Sequence, residues 1–106
     1  MLEKDLNRKV SAFFKKKAPD ILAIKKDQGK FSNHSGIFDL IVCYKGHSIF
    51  IELKVNKNKM TPLQLLFQRE ARAAGAIAEE ARSLDDVKRI LEKIDDRIND
   101  ASKKSS

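Results

Sequence analysis

Asp39, Glu52 and Lys54 are the residues of this chain whose types and spacing could do chemistry together. Asp39 opens one stretch of β-branched and aromatic residues, and Glu52 and Lys54 close a second such stretch. Lys45-Gly46 between the two stretches is typical of a two-residue turn, so the stretches are predicted to pair as an antiparallel hairpin. If the residues flanking the turn face each other, Asp39 lies opposite Glu52.

The two faces of this hairpin differ in chemistry. Side chains alternate between faces along a strand, so Lys54 shares a face with Glu52. The opposite face is entirely apolar and is predicted to form core: Leu40, Val42, Ile49, Ile51 and Leu53.

Two neighbouring carboxylates need a positive charge between them. At ~4 Å and an effective dielectric constant of about 20, their repulsion is roughly 4 kcal/mol. A divalent cation offsets it, and hard oxygen ligands suit Mg²⁺ or Mn²⁺ better than zinc. Lys54 adds an ammonium that could orient a water molecule or stabilise a phosphate. The alternative is an ordinary cross-strand ion-pair cluster on a solvated sheet face.

Five segments in this order resemble the VRR-NUC family, which belongs to the PD-(D/E)xK nuclease superfamily. They are GIFDLIV at 36–42, IELK at 51–54, TPLQ at 61–64, AAGA at 73–76 and RSL at 82–84. The resemblance extends from residue 3 to about residue 91. The family usually has proline before the aspartate, where this chain has Phe38. Because that proline carries no ligand, the departure leaves the expected chemistry intact.

The resemblance implies a Mg²⁺- or Mn²⁺-dependent DNA endonuclease with a restriction-endonuclease-like α/β fold, a mixed central sheet flanked by helices. It also implies roles for six residues: Asp39, Glu52 and the main-chain carbonyl of Leu53 as metal ligands, Lys54 and Gln64 as catalytic residues, and Glu3 as a further candidate ligand. Two of these have structural alternatives. Gln64 completes a capping box with Thr61, and Glu3 at a helix start interacts favourably with the helix dipole.

Positive charge is concentrated in the first part of the chain. The formal net charge is +7, and residues 1–60 contain 13 Lys and Arg against 6 Asp and Glu, whereas residues 61–106 contain 9 of each. This asymmetry favours a polyanionic partner, namely DNA. A lysine-rich solvated exterior, with His34 as a surface histidine, is the alternative. The candidate DNA-binding residues are Lys15, Lys16, Lys17, Lys25, Lys26, Lys30, His34, Lys57 and Lys59.

Helices are predicted around the hairpin. Apolar residues at helical spacing predict a first helix that ends before Ala18-Pro19, and 21–24 predicts a strand carrying Lys25 toward the face of the acids. Thr61 and Gly75 bound a second helix. A strand at 76–82 and an amphipathic helix then follow.

The chain is long enough for one modest core, so a single domain is predicted over residues 1–98, with a frayed tail over 99–106. Cys43, the only cysteine, is predicted to be a small packed residue and excludes an internal disulfide. No segment resembles a membrane span or a signal peptide, which predicts a cytoplasmic protein without membrane partners.

Stand-alone members of this minimal size resemble phage and bacterial proteins similar to Holliday-junction resolvases. The leading hypothesis is therefore a homodimeric, structure-selective endonuclease acting on branched DNA, in the cytoplasm of a bacterial or phage-infected cell. Two alternatives stay open. One is a flap or single-strand nuclease in repair or restriction, and the other is a catalytically silent DNA-binding subunit.

Overall fold

The computed structural model describes residues 2–25 and 37–104, with side chains as far as residue 102. In chain order its elements are α1 (Glu3–Lys16), β1 (Ile21–Lys25), β2 (Leu40–Tyr44), β3 (His47–Leu53), α2 (Pro62–Ala73), β4 (Ile77–Ala81) and α3 (Leu84–Lys104).

The four strands form one mixed sheet in the order β1-β2-β3-β4. β2 is antiparallel to both of its neighbours, and β4 runs parallel to β3 after the chain has passed through α2. This mixed sheet flanked by helices confirms the predicted α/β class.

The β2–β3 hairpin has the register that the turn predicts. Tyr44 pairs with His47, and Leu40 pairs with Ile51. The turn residues Lys45 and Gly46 have φ values of 50° and 84°. Both are left-handed, as a two-residue hairpin turn requires for its twist to match that of the strands.

The main core lies on one face of the sheet, beneath α1 and α3. Each helix presents an apolar stripe to the alternate strand residues that point toward it, which is the usual way in which helix and sheet layers share a core. The buried helix residues are Leu6, Val10 and Phe14 of α1 and Val87, Ile90, Leu91 and Ile94 of α3. The predicted core residues of the hairpin are all buried with them.

A second, smaller cluster lies on the opposite face, under α2. Its buried members are Phe38, Ala71 and Ala78. The ring of Phe67 lies 5.3 Å from that of Phe38 and meets Phe50 edge-on at 5.1 Å. The face of the sheet that carries Glu52 is therefore partly covered by α2. The sequence predicted only functional side chains on that face.

The ends of α2 follow from its capping residues. Thr61 and Gln64 form the predicted capping box, with proline at the first helical position. At the other end, the N–H groups of Gly75 and Ala76 each donate a 3.0 Å bond, to the carbonyls of Arg72 and Ala71. Gly75 has a φ of 96°, so a residue without Cβ ends this helix at low cost.

Two local predictions are corrected. The final helix continues to Lys104 instead of giving way to a tail at residue 99, because an existing helix propagates through polar residues and basic residues suit its C-terminus. Cys43 is exposed rather than packed, since it lies on the face of β2 that the main core does not cover. Over the residues described, no helix combines the length and apolar character that crossing a membrane requires.

Candidate active site

The β2–β3 hairpin brings the carboxylates of Asp39 and Glu52 together. Asp39 directly precedes β2, and Glu52 is the next-to-last residue of β3. The N–H of Asp39 donates a 3.0 Å hydrogen bond to Oε1 of Glu52, and the N–H of Leu53 donates a 3.3 Å bond to Oδ2 of Asp39. The carboxylate of Glu52 is thus held by the N–H of Asp39, and the carboxylate of Asp39 is held by the N–H of the residue that follows Glu52.

Lys54 supplies the positive charge at this site. Its Nζ lies 3.1 Å from Oε2 of Glu52, and the two side chains are only 15% and 3% exposed. One oxygen of Glu52 therefore accepts a main-chain hydrogen bond, while the other faces the ammonium. The predicted grouping of two acids and one lysine on a common face is present.

The environment of Glu52 disfavours its charge. Burial raises the pKa of Glu52, the neighbouring charge of Asp39 raises it further, and the contacts with Lys54 act in the opposite direction. The carboxylate is thus ionised at an energetic cost that one ammonium only partly offsets. An added cation would stabilise this arrangement.

The donor set suits a hard divalent ion. Asp39 and Glu52 offer carboxylate oxygens from adjacent strands, and the carbonyl of Leu53 belongs to the residue that follows Glu52. Within 2–25 and 37–102, no three His, Cys, Asp or Glu side chains gather closely enough to bind an ion by themselves. Mg²⁺ fits such a site, because it usually takes only one or two carboxylates and keeps several waters.

Glu3 is not part of a three-acid cluster with Asp39 and Glu52. It is exposed at the start of α1 and lines a shallow depression with residues of that helix and with Lys25. α1 packs on the face of the sheet opposite Glu52, and its N-terminus gives Glu3 a favourable interaction with the helix dipole, so a ligand role for Glu3 stays a prediction.

Gln64 is engaged in the cap of α2. Its Oε1 accepts a 2.9 Å bond from the N–H of Thr61, and its own N–H donates to Oγ1 of Thr61 at 3.2 Å. The structure therefore confirms the capping role, and a catalytic role would fall to the amide nitrogen of the same side chain.

Apart from Lys25, the predicted basic residues that the structure describes lie in two regions. Lys15, Lys16 and Lys17 lie at the end of α1, where Nζ of Lys17 stands 5.4 Å from the ring centre of Phe13. Exposed Lys57 and Lys59 lie on the connection between β3 and α2. The remaining candidates Lys26, Lys30 and His34 fall outside the described residues.

Lys25 points away from the candidate site, so its predicted direction is wrong. It pairs with Leu40, whose side chain belongs to the core under α1 and α3. Strand alternation from buried Ile21 puts Lys25 on that same face. Lys25 accordingly lines the depression beside α1 together with Glu3 and Arg8.

Arg82 is a residue near the site to which the sequence assigned no role. It follows β4 directly, and its guanidinium donates to the main-chain carbonyls of Asn56 and Asn58 and to the carboxylate of Glu80. The position of Arg82 in one of the five segments that resemble the family was a signal that it has a role. The sequence could not show its partners, because contacts across more than twenty residues leave no local pattern.

No protein-family model matches the chain, and no curated protein matches it. The chain is similar to a solved structure described as "VRR_NUC domain", with 26% sequence identity, a TM-score of 0.68, and coverage of 85% of this chain and 94% of the other. This likeness supports a place for the chain in the VRR-NUC family. A structure described as "VRR_NUC domain protein" is 19% identical, with a TM-score of 0.69 and coverage of 87% and 86%, and shares the fold.

The chain has Phe38 where its resemblance to the VRR-NUC family leads one to expect proline. Phe38 is completely buried and packs against Phe67 of α2. Packing of the Phe38 ring under α2 therefore fixes the position of the chain just before Asp39. Proline at this position would fix it by restricting the backbone φ angle.

Proposed function

We propose that this VRR-NUC protein is a metal-dependent nuclease that hydrolyses phosphodiester bonds of DNA, with Asp39, Glu52 and Lys54 at its active site. The observation that carries the proposal is the reciprocal hydrogen bonding of Asp39 and Glu52, with the ammonium of Lys54 beside them. The family relationship supports a nuclease-type function, and hence a hydrolase.

Asp39 and Glu52 are the residues that would hold Mg²⁺ or Mn²⁺, with the carbonyl of Leu53 as a main-chain ligand. When bound, such an ion lowers the pKa of a coordinated water and offsets charge on the phosphate. The fit rests on the chemistry of the donors. The two carboxylates are hard oxygen ligands, and the single ammonium of Lys54 does not balance both of their negative charges.

The protein's own residues have separable roles. Lys54 favours the ionised form of Glu52 against the effect of burial, and its ammonium would orient the attacking water or stabilise negative charge developing on the phosphate. The main-chain bonds fix the orientation of both carboxylates before substrate arrives, so they need no reorganisation during the reaction. Gln64 would contact the water or a phosphate through its amide nitrogen.

The proposed substrate is branched DNA, cut by a homodimer that resembles Holliday-junction resolvases and other PD-(D/E)xK nucleases. One chain offers one site, and symmetric cutting of a four-way junction needs two sites related by a two-fold axis. The basic first part of the chain supports a DNA partner, with Lys15–Lys17, Lys57 and Lys59 as its described candidate contacts. A cytoplasmic location in a bacterial or phage-infected cell stays a prediction.

The test is cleavage of end-labelled four-way junction, splayed-arm, flap, duplex and single-stranded substrates with Mg²⁺ and with Mn²⁺. The parent is compared with Asp39→Ala and Lys54→Ala, and with Asp96→Ala and Lys9→Ala as exposed acidic and basic controls on α3 and α1. Only the first two variants are expected to lose cleavage.

The outcomes separate the alternatives. Paired symmetric incisions of the junction support the homodimer, whereas a preference for flaps or single strands favours the repair or restriction nuclease. DNA binding without cleavage under either metal indicates the silent subunit and overturns the proposal. Asp39→Ala should bind DNA at least as well as the parent, because losing an acid relieves repulsion of phosphates.

A further inference from the structure

Arg82 connects the end of β4 with the segment that follows the candidate catalytic lysine. β3 and β4 are parallel, and the N–H of Lys54 donates a 3.1 Å bond to the carbonyl of Ala81. The side chain of Arg82 therefore starts beside Lys54. Its main-chain N–H donates 2.9 Å to Oδ2 of Asp86, which fixes the base of the side chain where α3 begins.

The guanidinium of Arg82 has three partners, two of them on the connection between β3 and α2. Nη1 donates 2.9 Å to the carbonyl of Asn56, and Nη2 donates to the carbonyl of Asn58. Nη2 also lies 2.7 Å from Oε1 of Glu80, which is 29% exposed. A charged, planar donor with several N–H groups is suited to bridging two carbonyls that a lysine could not hold together.

The connection over residues 55–60 is packed at its two ends, where Val55 is buried in the main core and Met60 packs against the smaller cluster. Its middle has few contacts of its own. None of its residues belongs to a helix or strand, Asn56 has a φ of 56°, and the main chain bonds to itself through the 3.2 Å contact from the N–H of Asn58 to the carbonyl of Val55. The segment joins Lys54 to the capping residue Thr61. It also carries the exposed lysines Lys57 and Lys59, the two candidate DNA-binding residues that come next after Lys54 in the sequence.

We infer that Arg82 is a positioning residue that clamps the β3–α2 connection, so that Lys57 and Lys59 are held ready to contact the DNA backbone beside the cleavage site. The inference rests on the proposed function for the identity of the ligand. It goes beyond that function because Arg82 acts without touching DNA. It holds the carbonyls of Asn56 and Asn58, and the residues next to them, Lys57 and Lys59, would contact the phosphates.

Glu80 offers a competing explanation that the variants must separate. Its register partner is Glu52, so Arg82 also offsets a negative charge on the strand next to the site. Glu80→Gln removes that ion pair but leaves both carbonyl contacts of Arg82 available. If the clamp is what matters, Glu80→Gln behaves nearly as the parent.

The first arm of the experiment needs no DNA. Hydrogen exchange of the Asn58 N–H, which donates to the carbonyl of Val55, is measured by NMR in the parent, in Arg82→Ala and Arg82→Lys, and in Arg72→Ala as the matched control. Arg72 likewise bonds a carbonyl and a carboxylate, on Ala78 and Glu79, but does not touch this connection. In both Arg82 variants the Asn58 N–H should exchange about tenfold faster, because without the bonds to the carbonyls of Asn56 and Asn58 the turn that protects this N–H opens more often. Unchanged exchange would overturn the clamp.

The second arm measures binding of a fluorescently labelled four-way junction, without metal, by anisotropy. The Lys57→Ala/Lys59→Ala double variant should bind about tenfold more weakly, because two phosphate contacts are lost. Arg82→Ala should show a comparable loss, and adding it to the double variant should weaken binding no further. A general structural role would instead give losses that multiply.

The results distinguish failure of the inference from failure of the proposed function. Multiplying losses, or a Glu80→Gln variant that matches Arg82→Ala, overturn the positioning role while leaving cleavage at Asp39 and Glu52 intact. A parent that neither binds nor cuts DNA overturns the proposed function. The exchange measurement still decides in that case whether Arg82 holds the connection.

Discussion

The N–H of Asp39 donates a 3.0 Å hydrogen bond to Oε1 of Glu52, thirteen positions along the chain. The bond lies just beyond the regular hairpin ladder, which ends with Leu40 opposite Ile51. A carboxylate oxygen thus accepts from the main-chain N–H of the residue that precedes β2. This bond holds Glu52 in a buried position where its charge is costly, and several measurable consequences result.

Glu52→Gln should stabilise the metal-free protein at neutral pH. The pKa of Glu52 is raised by burial and by Asp39, so the folded state binds its proton more tightly than the unfolded chain does. The free energy of unfolding therefore falls as the pH rises from the ordinary carboxyl range through the raised pKa. Glutamine resembles the protonated form, and we expect a gain of about 0.5–2 kcal/mol at pH 8.

Thermal unfolding of Glu52→Gln from pH 4.5 to pH 8 tests this. The advantage over the parent should shrink as the pH falls, because the parent's Glu52 becomes protonated. Glu92→Gln, at an exposed position on α3, serves as the control and should follow the parent. A Glu52→Gln variant less stable than the parent at pH 8 would contradict the prediction.

Lys54→Met should destabilise the protein at neutral pH. It removes the ammonium 3.1 Å from Oε2 of Glu52 and leaves a carboxylate that is only 3% exposed. Breaking a buried pair in this way costs roughly 3–5 kcal/mol. The cost should decrease at acid pH, where Glu52 becomes neutral.

Urea unfolding of the double variant Lys54→Met/Glu52→Gln separates charge from packing. If the loss arises from the unpaired carboxylate, the double variant is more stable than Lys54→Met alone. Equal stability of the two variants would instead assign the loss to the buried methylenes of the lysine.

Mg²⁺ or Mn²⁺ should raise the melting temperature of the parent and not that of Asp39→Asn. An ion that binds only the folded state at one hundred times its dissociation constant adds about 2.7 kcal/mol to the free energy of unfolding. The shift should increase with pH, because protons compete for Glu52. Asp96→Asn, an exposed substitution on α3, should retain the full shift. An equal shift in Asp39→Asn would place the ion elsewhere.

Tyr44→Phe should destabilise the protein by about 1 kcal/mol, because the buried Tyr44 hydroxyl donates a 3.0 Å bond to Oδ1 of Asp95 on α3. The hydrogen bond from Lys45, followed by that from Tyr44, lowers the pKa of Asp95. This contribution is therefore present above the ordinary carboxyl pKa and is lost as the pH falls through the lowered one. Melting temperatures of parent and variant should converge toward pH 2. The stability contributed at Asp95 thus rises with pH, whereas the stability contributed at Glu52 falls with pH. A pH-independent difference would contradict this.

The sequence determined the local geometry of the site. A two-residue turn and strict alternation along β2 and β3 were enough to predict the register, the apolar face and the common side of Glu52 and Lys54. The cap of α2 at Thr61 and its end at Gly75 were predictable for the same reason. Each depends on residues within a few positions of one another, where propensity and hydrogen bonding act without the rest of the chain.

Only the tertiary structure decided how the site is enclosed and supported. The burial of Glu52, the packing of Phe38 and Phe67 under α2, and the direction of Lys25 all depend on which layer covers which face. Arg82 reaches Asn56 across the β3–β4 pair, a contact that exists only after the sheet has formed. Such features arise from long-range packing, and no spacing of residue types along the chain encodes them.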